Sequence, residues 1–457
     1  MIHRGTDEER PPAPGTARRL LWWPVGLVGV AAVVRVAVIL VFVPTYRPVS
    51  DAHQYLELAG NFAGGRGFAM RWPQMAVHPT AFRPPAWPVL LSGWVEIFGA
   101  SPSAARYANV IIGSAVVAVV YLLGRRAHSH RAGVVAAALV ALFPPLVAND
   151  TTTLSEPLGL LVGLLVVVAF AGRRPLVAGV LLGLLVLTKP SGQLTALVLV
   201  LTAPFLLAAG GLDGATAEAT RSLRQRWRRG LGVVGLAALG AIVVVGPWMV
   251  RNDIEVGTAS VVTSNGFNLT AVYSDRSRAA GEFIDPVYDE RNQSLAERLL
   301  RFDEARWNSA LTRRGLDGVR AQPTYVARVA GRNVLSWFEL TPGSNDSPEA
   351  LDGRVPLLRT VGLPLFYVIV PLGLAGFWLA FRHAPRSRTI VGAMAAIAVS
   401  TMVASLPLVA VPRLRGPFDL ACCFGVGLLV AVLTDRTPPT VLPGDEVLGS
   451  GVVADER

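Results

Sequence analysis

The chain has 457 residues, of which 52% are hydrophobic and 16% charged, and its mean hydropathy is +0.48. A water-soluble domain carries about 25% charged residues, so a soluble globular class is excluded and a polytopic membrane protein fits. The formal charge of +11 sits in short arginine clusters between apolar runs, with no basic stripe interleaved with aromatics. That distribution excludes nucleic acid as a partner and marks membrane topology instead.

Ten apolar segments predict ten spans, at 20–43, 103–124, 132–149, 154–171, 174–189, 191–209, 231–250, 357–381, 389–409 and 417–434. Several approach or exceed the run of about 18 apolar residues that marks a spanning helix. The first is too long for a signal-peptide core and lacks a clean small-residue cleavage site. Segments four to six crowd together and divide least cleanly. The clusters "TARRL", "GRRAHSHR", "AGRRP", "RSLRQRWRRG" and "FRHAPRSR" all fall on one side if both termini are cytoplasmic. Trp22 and Trp23, beside Arg18 and Arg19, fit an inner-leaflet anchor.

The expectation is an all-α polytopic integral membrane protein of a bacterial plasma membrane, with amphipathic juxtamembrane helices in its first extracytoplasmic loop. It divides into a cytoplasmic tail, 1–19; a membrane module of about seven spans, 20–250, carrying the loop 44–102; an extracytoplasmic region, 251–356; a module of about three spans, 357–434; and a cytoplasmic tail, 435–457. The ends, 1–17 and 437–457, are rich in Pro, Gly and acidic residues and read as disordered. The loop 44–102 reads as helix, loop, helix. "DAHQYLELAGNFAGG" puts Tyr55, Leu56, Leu58, Ala59, Phe62 and Ala63 largely on one side, and "PPAWPVLLSGWVEIFG" is a second interfacial helix. The region 251–356 holds two amphipathic helices, in "SLAERLLRFDEARWNSALTRRG" and "PTYVARVAGRNVLSWFEL". Cys422 and Cys423, adjacent in an apolar run, read as packing residues.

Polar residues at the outward ends of the spans carry the functional signal. Asp51 follows the first span. It reads either as a helix N-cap in a capping box with Gln54, or as a general base whose pKa partial desolvation raises; the two are compatible. Asp150 and Glu156 bracket "NDTTTLSEPLG" and form either helix-terminus acids or a second acidic site. Lys189, Arg251, Arg83, Arg413 and Arg415 put cations in four outward loops against the positive-inside pattern. Together they suggest an anion site, with phosphate the natural candidate. Arg35 is an intramembrane charge that needs a buried partner, a polar groove or a role in catalysis. Tyr55, His78, Asn252 and Asn265 are candidate substrate contacts, although a histidine beside prolines, such as His78, is more often neither ligand nor contact. Asn265 lies in "SNGFNLTAVY", whose polar and aromatic mix suits a sugar-binding edge.

In order along the chain, "SDAHQYLELAGNFAGGRGF", "HPTAFRPPAWPVLLSGWVEIFGASPSAARYANV", "LSEPLGLL", "LTKPSG", "GPWMVRN" and "RLRGPF" resemble bacterial polytopic glycosyltransferases of the GT-C superfamily, relatives of protein O-mannosyltransferases and of the lipid A aminoarabinose transferase. The resemblance covers the membrane part from the first span to the last. It implies a sugar donor linked to polyprenyl phosphate, Asp51 as the base for an acceptor hydroxyl, and inversion at the anomeric carbon. It also implies cations that stabilise the leaving phosphate: Arg251 first, then Lys189, Arg413 and Arg415, with Arg83 beside them. Glu156 matches the acid after the third span, with Asp150 as its neighbour. Relatives often carry arginine where this chain has Lys189, which makes a fixed bidentate contact there doubtful. No cofactor is implied, and no spacing indicates a divalent metal, although the need for one stays open. The implied partners are the polyprenyl-phosphate sugar, membrane lipids, and a glycan, lipid or protein acceptor. With no appended C-terminal extracellular domain in view, 251–356 is the candidate for acceptor recognition. The alternative is a transporter or flippase of a lipid-linked or small substrate. It predicts midplane charges and a repeat, and neither dominates here.

Overall fold

The computed structural model describes residues 14–71, 77–209, 223–287, 294, 303–341, 343, 345–384 and 387–435. Most of the two tails and of "SLAERLLRF" therefore lie outside the described residues. Each of the ten expected segments contains a helix. They are α1 (Pro14–Phe42), α4 (Pro102–Ala127), α5 (His130–Leu142) with α6 (Pro144–Asp150), α7 (Glu156–Ala171), α8 (Pro175–Val186), α9 (Gly192–Ala209), α10 (Leu223–Val256), α16 (Pro356–His383), α17 (Arg388–Ser405) and α18 (Gly416–Thr434). Among the described residues, six helices are long and apolar enough to cross a membrane, or seven if α5 and α6 are one span bent by 62°. The count of ten is therefore not reached on length. At 1.5 Å per residue, the 12 residues of α8 rise only about 18 Å, short of a hydrocarbon core of about 30 Å. The bend falls at Phe143, where two prolines follow and the helix cannot continue.

Close helix contact is bought with glycine. A Cβ on Gly376 of α16 would lie 1.8 Å from the Gly425 carbonyl oxygen of α18, and one on Gly179 of α8 would lie 2.1 Å from the Ala237 oxygen of α10. Small residues at such crossings let apolar helices gain van der Waals contact where lipid offers no hydrophobic drive. The main core runs through α4, α5, α7, α8, α9, α16, α17 and α18. Its outer surface exposes Phe205, Ile242, Val243 and Val368, as a lipid-facing wall requires. Trp22 and Trp23 are likewise exposed.

The loop after α1 forms α2 (Ser50–Ala63), a two-stranded antiparallel hairpin of β1 (Ala69–Arg71) and β2 (Val77–Pro79), and α3 (Ala86–Phe98). The hairpin is the one departure from helix among the described residues, and its strands are too short to leave a period-two signature. α2 and α3 pack through Tyr55, Leu56, Ala59, Trp87 and Leu91 onto α4 and α7. The Trp87 indole donates to the Thr153 carbonyl at 2.9 Å.

The second long loop supplies α11 (Ser264–Tyr273), α12 (Asp275–Ala280), α13 (Glu304–Ala321), α14 (Pro323–Trp337) and α15 (Asp346–Leu351). "SNGFNLTAVY", expected as a sugar-binding edge, is helix α11 packed on α13. Gly318 sits so close that a Cβ there would be 1.9 Å from the Tyr273 carbonyl oxygen, and Phe267 stacks with Phe82 and Trp307.

Arg35 has a buried partner. Its Nε donates to Asp150 Oδ2 at 2.7 Å, and its Nη1 to the Ala31 and Ala141 carbonyls. Gly113 leaves room for that carboxylate, since a Cβ there would fall 2.2 Å from Asp150 Oδ2. Removing one member strands a charge in the bundle, which costs about 3–5 kcal/mol. Arg35→Leu is therefore expected to lower the thermal midpoint in detergent sharply, and Arg35→Leu with Asp150→Leu to recover most of the loss. A single variant as stable as wild type would show that the pair contributes nothing.

Candidate active site

Asp51 lies in the first turn of α2. The N-cap is Val49, and no side chain caps this end. The expected capping box is absent: Gln54 Oε1 instead accepts from Arg83 Nε at 2.6 Å. Ser50, just before Asp51, has φ +50°, a left-handed conformation that costs a non-glycine residue about 1–2 kcal/mol. Freed from capping, the Asp51 carboxylate lies between two guanidinium groups. Its Oδ1 accepts from Arg83 Nη2, and its Oδ2 from Arg413 Nη2 at 2.6 Å.

Arg83 comes from the turn between β2 and α3. Pro84 after it disfavours helical backbone at that position. The turn is pinned by the Ala81 N–H donating to Glu304 Oε1 at 2.9 Å and by the Phe82 N–H donating to Thr80 Oγ1 at 3.0 Å. The Arg83 guanidinium lies over the rings of Tyr55 and Phe82, at 5.8 and 5.0 Å. Tyr55 is buried, and its hydroxyl is 3.4 Å from Ser155 Oγ.

Arg413 comes from a single 3₁₀ turn, Pro412–Arg415, before α18. It serves three carboxylates. Besides Asp51, its Nη1 donates to Asp352 Oδ1 at 2.7 Å, and its Nε lies 3.9 Å from Glu156 Oε1, beyond hydrogen-bond reach. Arg413 Nε and Glu156 Oε2 are both buried without a hydrogen-bond partner. Glu156 Oε1 accepts from Lys189 Nζ at 3.2 Å. Asp51, Glu156 and Asp352 thus face Arg83, Lys189 and Arg413. These six side chains come from five connections, Asp51 and Arg83 sharing the loop after α1, and meet at one end of the helix bundle.

Burial alone pushes the Asp51 carboxyl up, but Arg83 and Arg413 outweigh it and hold it well below the usual carboxylate range. This reverses the expected upward shift, because a carboxylate hydrogen-bonded by two cations is stabilised in its charged form. Asp352 behaves in the opposite way. Burial pushes it up to about 7, aided by Glu156 and Asp51 and opposed by Arg413 and Arg354.

The other sequence candidates lie elsewhere or turn away. Asp150 is engaged by Arg35. Arg251 spends its donors on the Thr80 and Phe68 carbonyls, at 2.7 and 2.8 Å, and on Asn252 Oδ1. It also pairs with Glu255 at 2.6 Å. It therefore ties the hairpin to the end of α10. Asn252 donates to the Ser260 carbonyl at 2.8 Å. Asn265 is exposed on α11. His78 sits on β2, with its Nδ1 2.8 Å from its neighbour's carbonyl, Pro79 O. Arg415 is fully buried and bonds Asp419 at 2.9 Å and the Trp337 carbonyl at 2.7 Å, with its guanidinium 3.8 Å from the Phe366 ring centre. Among the described residues, no group of three or more His, Cys, Asp or Glu side chains is arranged to hold a metal ion; the three acids converge on Arg413. Sequence reasoning missed Asp352 and gave Gln54 a capping role in place of its contact with Arg83.

Residues 82–248 match the family model of dolichyl-phosphate-mannose-protein mannosyltransferases. No curated protein matches the chain. Among solved structures it is similar to the oligosaccharyltransferase AglB from Archaeoglobus fulgidus, in complex with an inhibitory peptide and a dolichol-phosphate. The TM-score is 0.52 at 16% identity, over 91% of this chain and 51% of that one. The Archaeoglobus fulgidus oligosaccharyltransferase tethered to an acceptor peptide with the NVT sequon gives 0.51 at 16% identity, over 91% and 50%. ArnT from Cupriavidus metallidurans, bound to undecaprenyl phosphate, gives 0.41 at 16% identity, over 90% and 78%. The chain spans about half the length of the oligosaccharyltransferases it matches. By its apolar helices the chain is a polytopic membrane protein; its residues 82–248 are similar to the mannosyltransferase family, and its fold is similar to that of the archaeal oligosaccharyltransferase.

Proposed function

We propose that the protein transfers a sugar from a polyprenyl-phosphate donor to an acceptor hydroxyl, with inversion, at the extracytoplasmic face of a bacterial plasma membrane. The observation that carries this reading is the Asp51 carboxylate held between Arg83 and Arg413 at one end of the bundle. A base and two cations in contact are what displacement at a glycosyl phosphate needs. Asp51 takes the acceptor proton. The acceptor oxygen bonds the anomeric carbon as the bond from that carbon to the phosphate oxygen breaks, and polyprenyl phosphate leaves with the electron pair. The arginine clusters, which fall on one side if both termini are cytoplasmic, support this face. AglB is solved with a dolichol-phosphate, a lipid of the donor's class.

A carboxylate paired with two guanidinium groups is a weak base. Arg413 resolves the conflict, because the donor phosphate and Asp51 compete for the same Nη2. When the phosphate takes it, Asp51 regains basicity and the leaving group gains its counter-charge. Lys189 stays with Glu156 beside the phosphate. Arg251 acts at a distance by fixing the hairpin that leads to Arg83. The region 251–356, with α11 and α13 at its centre, is the acceptor side.

The test uses purified protein in nanodiscs, a panel of radiolabelled polyprenyl-phosphate sugars and a cell-envelope acceptor fraction. The expected result is label transfer with inverted anomeric configuration. Retained configuration would remove the direct-displacement mechanism. A protein that moved the labelled lipid between leaflets without forming product would be a flippase.

A further inference from the structure

Asp352 is assigned no part in the reaction above, yet it holds the central cation. It follows α15, and Gly353 after it is left-handed, with φ +67°. A Cβ at Gly353 would lie 2.4 Å from Tyr46 Cε2, so only glycine lets the turn close against that ring. The Tyr46 hydroxyl is 3.3 Å from Thr153 Oγ1, and the Arg106 guanidinium lies over its ring at 4.9 Å. The carboxylate is thereby pointed at Arg413 Nη1, while Nη2 of the same guanidinium holds Asp51.

We propose that Asp352 is a positioning residue that competes with the donor's phosphate for Arg413 and takes up a proton when the phosphate binds. The inference rests on the lipid-phosphate reading above. With Asp352 ionised, the three acids of the cluster balance its three bases. An incoming phosphodiester adds a negative charge that the cluster cannot match. Protonating Asp352 removes one negative charge and releases Nη1 to the phosphate. The charged groups facing Asp352 are Arg413, Glu156, Asp51 and Arg354, with Tyr46 and Arg106 behind it. Arg354 is occupied by Glu349, so Asp352 is the acid of this group with least counter-charge of its own. Burial holds its carboxyl near 7, where uptake of one proton is cheap.

Linkage fixes the sign. If binding takes up a proton, affinity is highest below the Asp352 midpoint and falls above it, by up to about tenfold per pH unit. The probe is undecaprenyl methyl phosphate, a diester with a single negative charge across the range and no sugar to match. Its binding to the full-length protein in nanodiscs is measured from pH 5.5 to 8.5. Proton uptake at pH 7.5 is read by titration calorimetry in buffers of different ionisation enthalpy. Wild type is expected to lose affinity above about pH 7 and to take up close to one proton. Asp352→Asn is expected to bind with a flat pH profile, more tightly than wild type at pH 8.5, and without proton uptake. Asp352→Glu should restore the pH dependence, which a purely structural role would not predict. Wild-type binding that is flat with pH, or an Asp352→Asn protein that keeps the wild-type slope and proton uptake, would overturn the inference and leave the lipid-phosphate reading standing. No binding by wild type at any pH would overturn both.

Discussion

Asp51→Asn is expected to lower label transfer by about 10²–10⁴-fold, the range for loss of a general base. The amide keeps the shape of the side chain and accepts a hydrogen bond from one arginine, but it cannot take the acceptor proton. The thermal midpoint is a necessary control, because Arg83 and Arg413 each lose an ion-pair partner. Both are part-exposed, so the stability cost is modest beside that of a fully buried pair. Phospholipid-donor binding should be retained or strengthened, since Arg413 no longer has to leave a carboxylate. A variant that keeps full transfer would move the base to Glu156 or Asp352, the other acids around Arg413. A variant that loses donor binding along with transfer would show that Asp51 organises the site without acting as its base.

Arg413→Gln is expected to have a comparable effect by a different route. Removing one preorganised donor to a developing oxyanion costs about 10²–10³-fold in turnover, and here the same substitution also strips Asp51, Asp352 and Glu156 of their shared cation. Three acids against two bases would repel the donor, so its apparent affinity should fall as well. Arg413→Lys separates the two effects. It restores the charge but cannot reach two carboxylates at once with a planar fork. Partial recovery of donor binding with little recovery of turnover is the expected pattern. Equal recovery of both would reduce Arg413 to a simple counter-charge. The comparison residue is Arg415, whose loss should appear in folding yield before it appears in donor affinity, because its guanidinium is enclosed by Asp419, Glu339 and Phe366.

Arg413 and Arg415 also show where sequence reading runs out. Both lie in "VPRLRGPF", and both look like outward cations. The 3₁₀ turn advances about 120° per residue, so two positions separate a site residue from a packing residue, and no composition rule predicts that turn. Arg251 ends a span and reads as the strongest phosphate ligand, yet the carbonyls of Phe68 and Thr80 claim its donors. Those carbonyls exist because of a hairpin whose strands have three residues each, below the length at which periodicity is readable. Asp352 was hidden because Asp-Gly reads as an ordinary turn, and its link to Asp51 is tertiary. Asp51, Arg83, Glu156 and Lys189 were legible because acids and cations at the ends of apolar runs are costly unless paired. The bend after α5 also had a signal, in the paired prolines of "ALFPPLV".

The ion pair between Asp51 and Arg413 joins residues 362 positions apart. Translation makes the acid early and its partner close to the last helix. Arg35 and Asp150, 115 positions apart, can close as soon as the first few helices are in the bilayer. The reactive cluster has to wait. A nascent chain halted anywhere before Arg413 holds Asp51 against Arg83 alone, with no guanidinium to hand from carboxylate to phosphate. On the proposed mechanism, the site is complete only once the C-terminal helices α17 and α18 bring Arg413 to Asp51.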